Sequence, residues 1–131
     1  MGLTAISTLG LDDLDACVEL DDLVMGGFWT KSQWKAELIN PMKPCLGIKQ
    51  SSHLYAIACG FVLFDELHLN LVFVHPSHRR IGFAKTLVLE LFRQARVEGV
   101  NRATLEVSRL NLGARSFYNN FGFKTKGVRK N

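Results

Sequence analysis

The chain has 131 residues, 47% of them hydrophobic, which suits one ordinary domain with a packed core. No apolar run reaches the roughly 18 residues of a membrane-spanning helix, and residues 1–15 lack the basic start and apolar core of a signal peptide, so we expect a cytoplasmic protein. The net charge is −6 over residues 1–30 and +10 over residues 31–131, and such a basic body can attract a polyanion, either a nucleic acid or a phosphorylated cofactor.

Two helices are predicted in the N-terminal part of the chain. Residues 12–25 begin with aspartates that can cap a helix and complement its positive end, and Gly26-Gly27 would end it. Thr30 and Gln33 have the spacing of a capping box, which predicts the start of a second helix, and Pro41 would stop that helix.

Three strands are predicted after the helices. Residues 45–49 and 54–64 are apolar runs on either side of a polar turn, which predicts a strand pair. Residues 67–74 form a third strand that is apolar enough to be buried on both faces.

A long helix is predicted after the third strand. Its apolar residues recur every three or four positions, which is typical of a helix with one buried face, and Gly99 would end it. These residues are Ala84, Leu87, Val88, Leu91, Phe92 and Ala95.

The C-terminal third continues the alternation of strands and helices. Residues 102–108 predict a strand, residues 111–123 a short helix, and residues 124–129 the start of a last strand. The alternation predicts a single α/β domain, residues 1–131, with a mixed sheet. Because a helix joins strands 67–74 and 102–108, we expect the two strands to be parallel, with a right-handed connection.

The cysteines and histidines show no metal-binding pattern. Cys17, Cys45 and Cys59 are odd in number and lack Cys-x-x-Cys spacing, so we expect reduced and buried thiols. His75 and His78 lie close together in the loop after the third strand, but no further ligand pattern accompanies them. We therefore predict polar loop residues there rather than a metal site.

The junction between the third strand and the long helix carries the strongest functional signal. Arg79-Arg80, Gly82 and Lys85 place positive charge and a small residue where the helix begins. Free N–H groups and the helix dipole make such a start an anion site, and glycine allows close approach of the backbone. A surface turn with solvated arginines is the alternative. The loop matches neither the P-loop nor the Gly-x-Gly-x-x-Gly pattern.

This junction resembles that of the GNAT family of N-acetyltransferases. Arg79-x-x-Gly82-x-Ala84 matches the family's Arg/Gln-x-x-Gly-x-Gly/Ala loop. The sequence LEVSRLNLGARSFYNNFGF, residues 105–123, resembles a block of the RimI-type N-terminal acetyltransferases, and residues 26–38 resemble that branch's Trp-Ser/Thr segment. The resemblance covers nearly the whole chain.

The resemblance implies acetyl-CoA as the co-substrate. The amides of residues 80–85 would hold its pyrophosphate, the strand edge at residues 72–74 would pair with its pantetheine arm, and Asn111 would contact that arm from the other side. The predicted cofactor-binding residues are Val72, Phe73, Val74, Arg79, Arg80, Ile81, Gly82, Phe83, Ala84, Lys85 and Asn111.

Acetyl transfer needs a base, because an α-amine with a pKa of about 8 and a lysine with a pKa of about 10.4 are mostly charged at neutral pH. The resemblance points to Glu106, with Glu66 as the alternative base. Tyr118 is the predicted acid, which would protonate the thiolate of coenzyme A, and the amide of Phe73 or Val74 could steady the thioester carbonyl. An ordinary solvated glutamate and a packed tyrosine are the alternatives for Glu106 and Tyr118.

The chain departs from the family pattern at its C-terminus. Relatives continue with a Tyr-Tyr pair and a final strand, which in the family sheet lies between strand 102–108 and the strand that begins at residue 124. We therefore expect a GNAT fold that lacks its last strand. Residues 124–131 are predicted to be displaced, disordered or paired with another molecule, for example in a homodimer.

The leading hypothesis is transfer of an acetyl group from acetyl-CoA to a protein N-terminal α-amine, and the resemblance implies a ribosomal protein as acceptor. The alternatives are a lysine or small-amine acetyltransferase and a catalytically inactive acetyl-CoA-binding module. Direct nucleic-acid binding is not expected, since no recognition helix and no basic strand with interleaved aromatic residues is present.

Overall fold

The structure, a computed structural model, describes residues 4–79, 81–105, 107–108 and 128–129. A mixed β-sheet carries helices on both faces. The strands are β1 (Thr4–Thr8), β2 (Cys45–Gln50), β3 (His53–Leu63), β4 (Glu66–Val74), β5 (Arg102–Leu105), β6 (Val107–Ser108) and β7 (Val128–Arg129). The helices are α1 (Leu14–Met25), α2 (Lys31–Ile39) and α3 (Phe83–Val97). Across this part of the chain, no helix has the length and apolar character that a bilayer crossing requires.

The sheet order is β1-β2-β3-β4-β5. Strands β1 to β4 pair with one another in antiparallel order, and β5 pairs with β4 in parallel. The parallel pair that was predicted on either side of the long helix is therefore confirmed. Strand β1 was not predicted. Its side chains are mostly exposed, so no apolar alternation marks it in the sequence.

The predicted helix boundaries are largely confirmed. The N–H of Gln33 donates to Thr30 Oγ1 at 3.1 Å, and the N–H of Thr30 donates to Gln33 Oε1 at 2.8 Å, which completes the capping box of α2. Gly26 ends α1 with a left-handed backbone, φ 72°. Asp13 directly precedes α1, but its side chain does not cap this helix. Its carboxylate accepts hydrogen bonds from the N–H of Gly10 at 3.0 Å and from Lys49 Nζ at 2.7 Å.

Two apolar layers lie on opposite faces of the sheet. The layer under α3 contains Leu87, Val88 and Leu91, which are at most 1% exposed, as the apolar pattern of this helix predicts. The layer under α1 and α2 contains Leu20 and the fully buried Trp34. Each fully buried large apolar side chain contributes about 1.5–3 kcal/mol to folding, so both layers are needed to hold the helices against the sheet.

A β-bulge moves β4 from one layer to the other. Leu69 pairs with Gly60 but Leu71 pairs with Cys59, so Asn70 is an extra residue in β4. The buried residues of β4 therefore divide between the layers, with Leu67 and Leu69 under α3, and Leu71 and Phe73 under α1 and α2. Both faces of β4 are covered, as predicted. The residues that alternate with these four along the strand are only partly buried: His68, Asn70, Val72 and Val74.

The described C-terminal residues form a second small sheet. Val128 and Arg129 pair in parallel with Val107 and Ser108, without a strand between them. Val128 and Arg129 are thus paired with another strand of the same chain. The remainder of segment 124–131 and the predicted helix at residues 111–123 lie outside the described residues.

The three cysteines are buried free thiols, as predicted. Cys45 and Cys59 lie opposite each other on β2 and β3, and their sulfur atoms are 3.0 Å apart. Burial raises the pKa of Cys17 and of Cys59, and the neighbouring Cys45 raises both further. Because the thiolate is the reactive form, these thiols are poorly reactive in the folded protein.

We predict that Cys17 and Cys59 resist alkylation by iodoacetamide at pH 8 in the native protein. Their labelling should be at least about 100-fold slower than that of a Lys35→Cys variant, whose added thiol is exposed, since each unit of raised pKa lowers the thiolate fraction tenfold. Mass spectrometry of the labelled peptides measures the rates. Rapid labelling of either native cysteine, at the rate seen in denaturant, would contradict the buried placement.

Candidate active site

The first turn of α3 has backbone N–H groups that can bind an anion. Gly82 precedes the helix with a left-handed backbone, φ 85°, and provides no side-chain cap. The N–H of Thr86 donates to the Gly82 carbonyl at 2.9 Å, so the N–H groups of Phe83, Ala84 and Lys85 precede the first bond of the helix. A Cβ added to Gly82 would meet no atom within 4 Å, so the space around it is open. These N–H groups and the helix dipole can bind a phosphate.

Positive charge surrounds this helix start. Arg79 Nε–H donates to the carbonyl of Val74 at 3.4 Å, which ties the loop to the end of β4. Lys85 is exposed on the first turn of the helix. Arg80 lies outside the described residues. The described cations therefore favour a ligand with more than one negative charge at this end of the sheet.

No strand among the described residues pairs with the outer edge of β4 beyond the bulge, and this stretch is called the open edge below. The pairing of β4 with β5 ends at Leu69 and Leu105, whereas β4 continues to Val74 and stays paired with β3 on its other side. The side-chain oxygen of Asn70 is buried at this point and has no hydrogen-bond partner. An extended ligand with amide groups can add to such an edge as a further strand.

The register of β3 and β4 shows which backbone groups face that edge. The N–H of His75 donates to the carbonyl of Tyr55 at 2.7 Å, and opposite residues of an antiparallel pair alternate between bonded and non-bonded. Phe73 therefore bonds toward β3, whereas Val72 and Val74 direct their N–H and C=O groups to the open edge. Of the two amides predicted to steady a carbonyl, only that of Val74 faces the ligand edge.

A stack of rings holds the loop between β4 and α3. The ring of His78 stacks on Tyr55 with centroids 3.8 Å apart, and it lies 5.8 Å from the ring of Phe83 at 27°. Its Nε2 is 2.9 Å from Gln50 Oε1, and its Nδ1 is 2.6 Å from Ser77 Oγ. His78 thus connects β2 and β3 to the first residue of α3. It is engaged in packing and hydrogen bonds, and among the described residues no group of three or more potential metal ligands occurs.

Glu66, the alternative base, lies at the other end of β4. Its Oε2 is 3.4 Å from Arg102 Nη2, and its Oε1 is 3.5 Å from His68 Nε2. The four residue steps from Glu66 to the bulged residue Asn70 span about 13 Å of extended strand. A carboxylate at this position is remote from the open edge and already engaged by cationic or polar groups.

The structure gathers most of the predicted cofactor-binding residues at one end of the sheet. Those described are Val72, Phe73 and Val74 at the end of β4 and Arg79, Ile81, Gly82, Phe83, Ala84 and Lys85 in the loop and first turn of α3. Arg80, Glu106, Asn111 and Tyr118 lie outside the described residues. Sequence reasoning missed the roles of Tyr55 and Gln50, because only the sheet register brings them to His78.

A sequence profile of the acetyltransferase (GNAT) family matches residues 13–123. The chain belongs to the GNAT family. Enzymes of this family are N-acetyltransferases that use acetyl-CoA. The described residues of this GNAT chain fit that co-substrate: the amides at the start of α3 suit its pyrophosphate, and the open edge of β4 with the unpartnered oxygen of Asn70 suits the amide-containing pantetheine arm.

Individual relatives share both sequence and fold with this GNAT chain. It is 27% identical over 128 residues, 97% of this chain and 85% of the relative, to a Bacillus subtilis (strain 168) protein named "putative ribosomal protein bS18-alanine N-acetyltransferase". The crystal structure of the ribosomal-protein-S18-alanine N-acetyltransferase from Escherichia coli superposes with a TM-score of 0.88 at 25% identity, covering 98% of this chain and 83% of that one. The PaiA N-acetyltransferase from Thermoplasma acidophilum, solved with coenzyme A, shares the fold with a TM-score of 0.82 at 22% identity, covering 93% and 90% of the two chains.

We predict that His78→Ala weakens acetyl-CoA binding by about three- to tenfold, because an aromatic pair contributes about 0.5–1.5 kcal/mol and its loss would free the phosphate-binding loop. His78→Phe should bind with intermediate affinity, since it keeps the stacking but not the hydrogen bonds. Isothermal titration with acetyl-CoA measures both. His53→Ala is the control, because His53 only touches Tyr55 edge-on at 6.4 Å. Equal affinity of His78→Ala and wild type would show that the stack does not hold the loop.

Proposed function

We propose that this enzyme transfers the acetyl group of acetyl-CoA to the N-terminal α-amine of a protein and that its acceptor is a ribosomal protein. The match over 97% and 98% of the chain to two proteins named as ribosomal-protein-alanine N-acetyltransferases carries the proposal. An acceptor of this kind implies a cytoplasmic enzyme. A homodimer and the lack of direct nucleic-acid binding stay predictions.

We propose Glu106 as the general base. Leu105, the residue before Glu106 in sequence, is the last residue of β5 that pairs with β4. The open edge of β4 begins at the same level, which brings the reactive end of an added pantetheine arm close to this point. Glu66 is the weaker candidate, because it lies about 13 Å along the strand and is engaged by Arg102 and His68.

The proposed reaction needs a proton acceptor and a proton donor from this chain. Acetyl-CoA supplies the acetyl thioester. Glu106 accepts a proton from the acceptor ammonium, directly or through water, so that the neutral amine can attack the thioester carbonyl. The Val72 N–H faces the same ligand edge and lies two residues past the bulge, nearer the reactive end of the arm than Val74, so it can donate to the carbonyl oxygen as negative charge develops on it. Tyr118 then protonates the departing thiolate, and the second proton that the nitrogen loses as the amide forms returns to the Tyr118 oxygen through water. Asn111 and Arg80 complete the proposed cofactor contacts.

A panel of acceptors tests the proposed substrate class. Peptides with the N-terminal sequences of ribosomal proteins, the same peptides with a blocked α-amine, a lysine peptide and small polyamines are incubated with the enzyme and acetyl-CoA. Mass spectrometry of the products should show one acetyl group on the free α-amine. Acetylation confined to lysine or polyamines would overturn the proposal, and tight acetyl-CoA binding without any product would identify an inactive binding module.

We predict that Glu106→Gln lowers kcat/KM for the α-amine by about 10²–10⁴-fold while acetyl-CoA binding is unchanged, because only proton transfer is lost. The loss should shrink as the pH rises through about 8, where the α-amine loses its own proton. Steady-state kinetics between pH 6 and 9.5 measure this. The matched control is Glu66→Gln, which should retain most activity. If Glu66→Gln abolished turnover and Glu106→Gln did not, the assignment of the base would be reversed.

A further inference from the structure

Cys45 and Cys59 form a pair of facing thiols in the layer under α1 and α2. They lie opposite each other on β2 and β3, and their sulfur atoms are 3.0 Å apart. The N–H of Gly60 donates to the carbonyl of Pro44 at 3.0 Å, so the adjacent pair, Cys45 with Cys59, is one of the non-bonded pairs of the ladder. Side chains are closest in such pairs, whose Cα atoms are about 4.5 Å apart, within the range of about 4.4–6.8 Å found in disulfides. A disulfide is therefore within reach of the existing backbone.

A cavity reaches one member of this pair. Its volume is about 330 Å³, and Cys45 is the cysteine that lines it. Ile39 and Met42, which also line it, are more than half exposed, so the cavity opens to solvent beside them. Cys45 is only 2% exposed, so a small reagent can reach it more easily than a large one. The cavity has room for such a reagent, since a water molecule occupies about 30 Å³ of liquid.

The cavity is separate from the candidate acetyl-CoA site. It is lined by Leu91, Gln94 and Ala95 in the last turns of α3, whereas the pyrophosphate is expected at the first turn of that helix. From Phe83 to Ala95 the helix rises about 18 Å. A reaction at Cys45 therefore involves neither substrate of acetyl transfer.

We propose that Cys45 and Cys59 are a dithiol that a hydroperoxide converts to a disulfide. The sulfur of Cys45 attacks one oxygen of the hydroperoxide, the O–O bond breaks, and the other oxygen leaves with the thiol proton as water or an alcohol, so that Cys45 becomes a sulfenic acid. The sulfur of Cys59 then attacks the sulfur of Cys45, the S–O bond breaks, and hydroxide leaves with the Cys59 proton as water. Two thiols are oxidised and one hydroperoxide is reduced.

The positions of the two thiols determine the order of these steps. Cys45 reacts first because it lines the cavity. Cys59 is fully buried, and burial raises the pKa of its thiol, so it is poorly suited to attack a reagent from solvent. It is suited to the second step, because the sulfur of Cys45 is already in contact with it.

The test treats the folded protein with hydrogen peroxide or with tert-butyl hydroperoxide and maps the products by mass spectrometry. Wild type should lose the mass of two hydrogen atoms and yield peptides linked through Cys45 and Cys59, and dithiothreitol should reverse the change. Linkage should be at least about tenfold faster than oxidation of Cys17, whose raised pKa lowers its thiolate fraction. Either reagent supports the proposal, and the faster one identifies the class of hydroperoxide that the cavity admits.

Alanine variants separate the two steps. Cys59→Ala should accumulate a Cys45 sulfenic acid that dimedone traps, and Cys45→Ala should give neither product. Cys17→Ala is the matched control and should form the disulfide at the wild-type rate, because Cys17 is buried in the same layer. Oxidation that begins at Cys17 or Cys59, or a linkage that forms only in denaturant, would overturn the proposal. The wild-type map gives this answer even if an alanine variant does not fold, and far-UV circular dichroism checks that the treated protein stays folded.

Discussion

The bulge at Asn70 is the constraint on which the architecture of the site depends. One extra residue shifts the register against β3, exchanges the faces on which β4 buries its side chains, and marks the level at which β5 no longer pairs with β4. An uninterrupted ladder would bond the backbone of Val72 and Val74 to another strand, and no edge would be left for a ligand. The bulge gives up strand pairing among the described residues and leaves backbone groups that suit the pairing proposed for the co-substrate.

The two faces of the sheet carry different parts of the candidate site. On one face α3 packs against Leu67 and Leu69, and its first turn lies beside the open edge of β4 with uncapped N–H groups. On the other face α1 and α2 pack against Leu71 and Phe73, and the segment between them lies over the same part of β4. A donor bound at the edge and an amine approaching from the α1 side can therefore meet without competing for one surface.

Much of the fold could be predicted from the sequence, because the elements that build it carry local signals. The capping box at Thr30, the glycines at 26 and 99, and the apolar pattern of α3 are read from residues within a few positions of one another. Strand β1 could not be found this way, since its exposed side chains carry no pattern and only pairing with β2 makes it a strand. The bulge was missed for the same reason, because a register shift exists only between two strands.

In the candidate site, too, contacts between residues adjacent in sequence could be predicted, whereas contacts between residues distant in sequence could not. The loop at residues 79–84 could be predicted as a cofactor site because the residues of its pattern are adjacent in sequence. His78 and Asp21 were not found, because their partners are distant in sequence: Gln50 and Tyr55 for one, and Trp34 for the other. Both residues place a polar side chain inside an aromatic cluster beneath a loop. Hydrogen bonds depend on direction, and they are stronger where packing excludes water. They therefore restrict the conformation of a loop more than apolar contacts do. In both places the connection is fixed to the strands or helices beneath it.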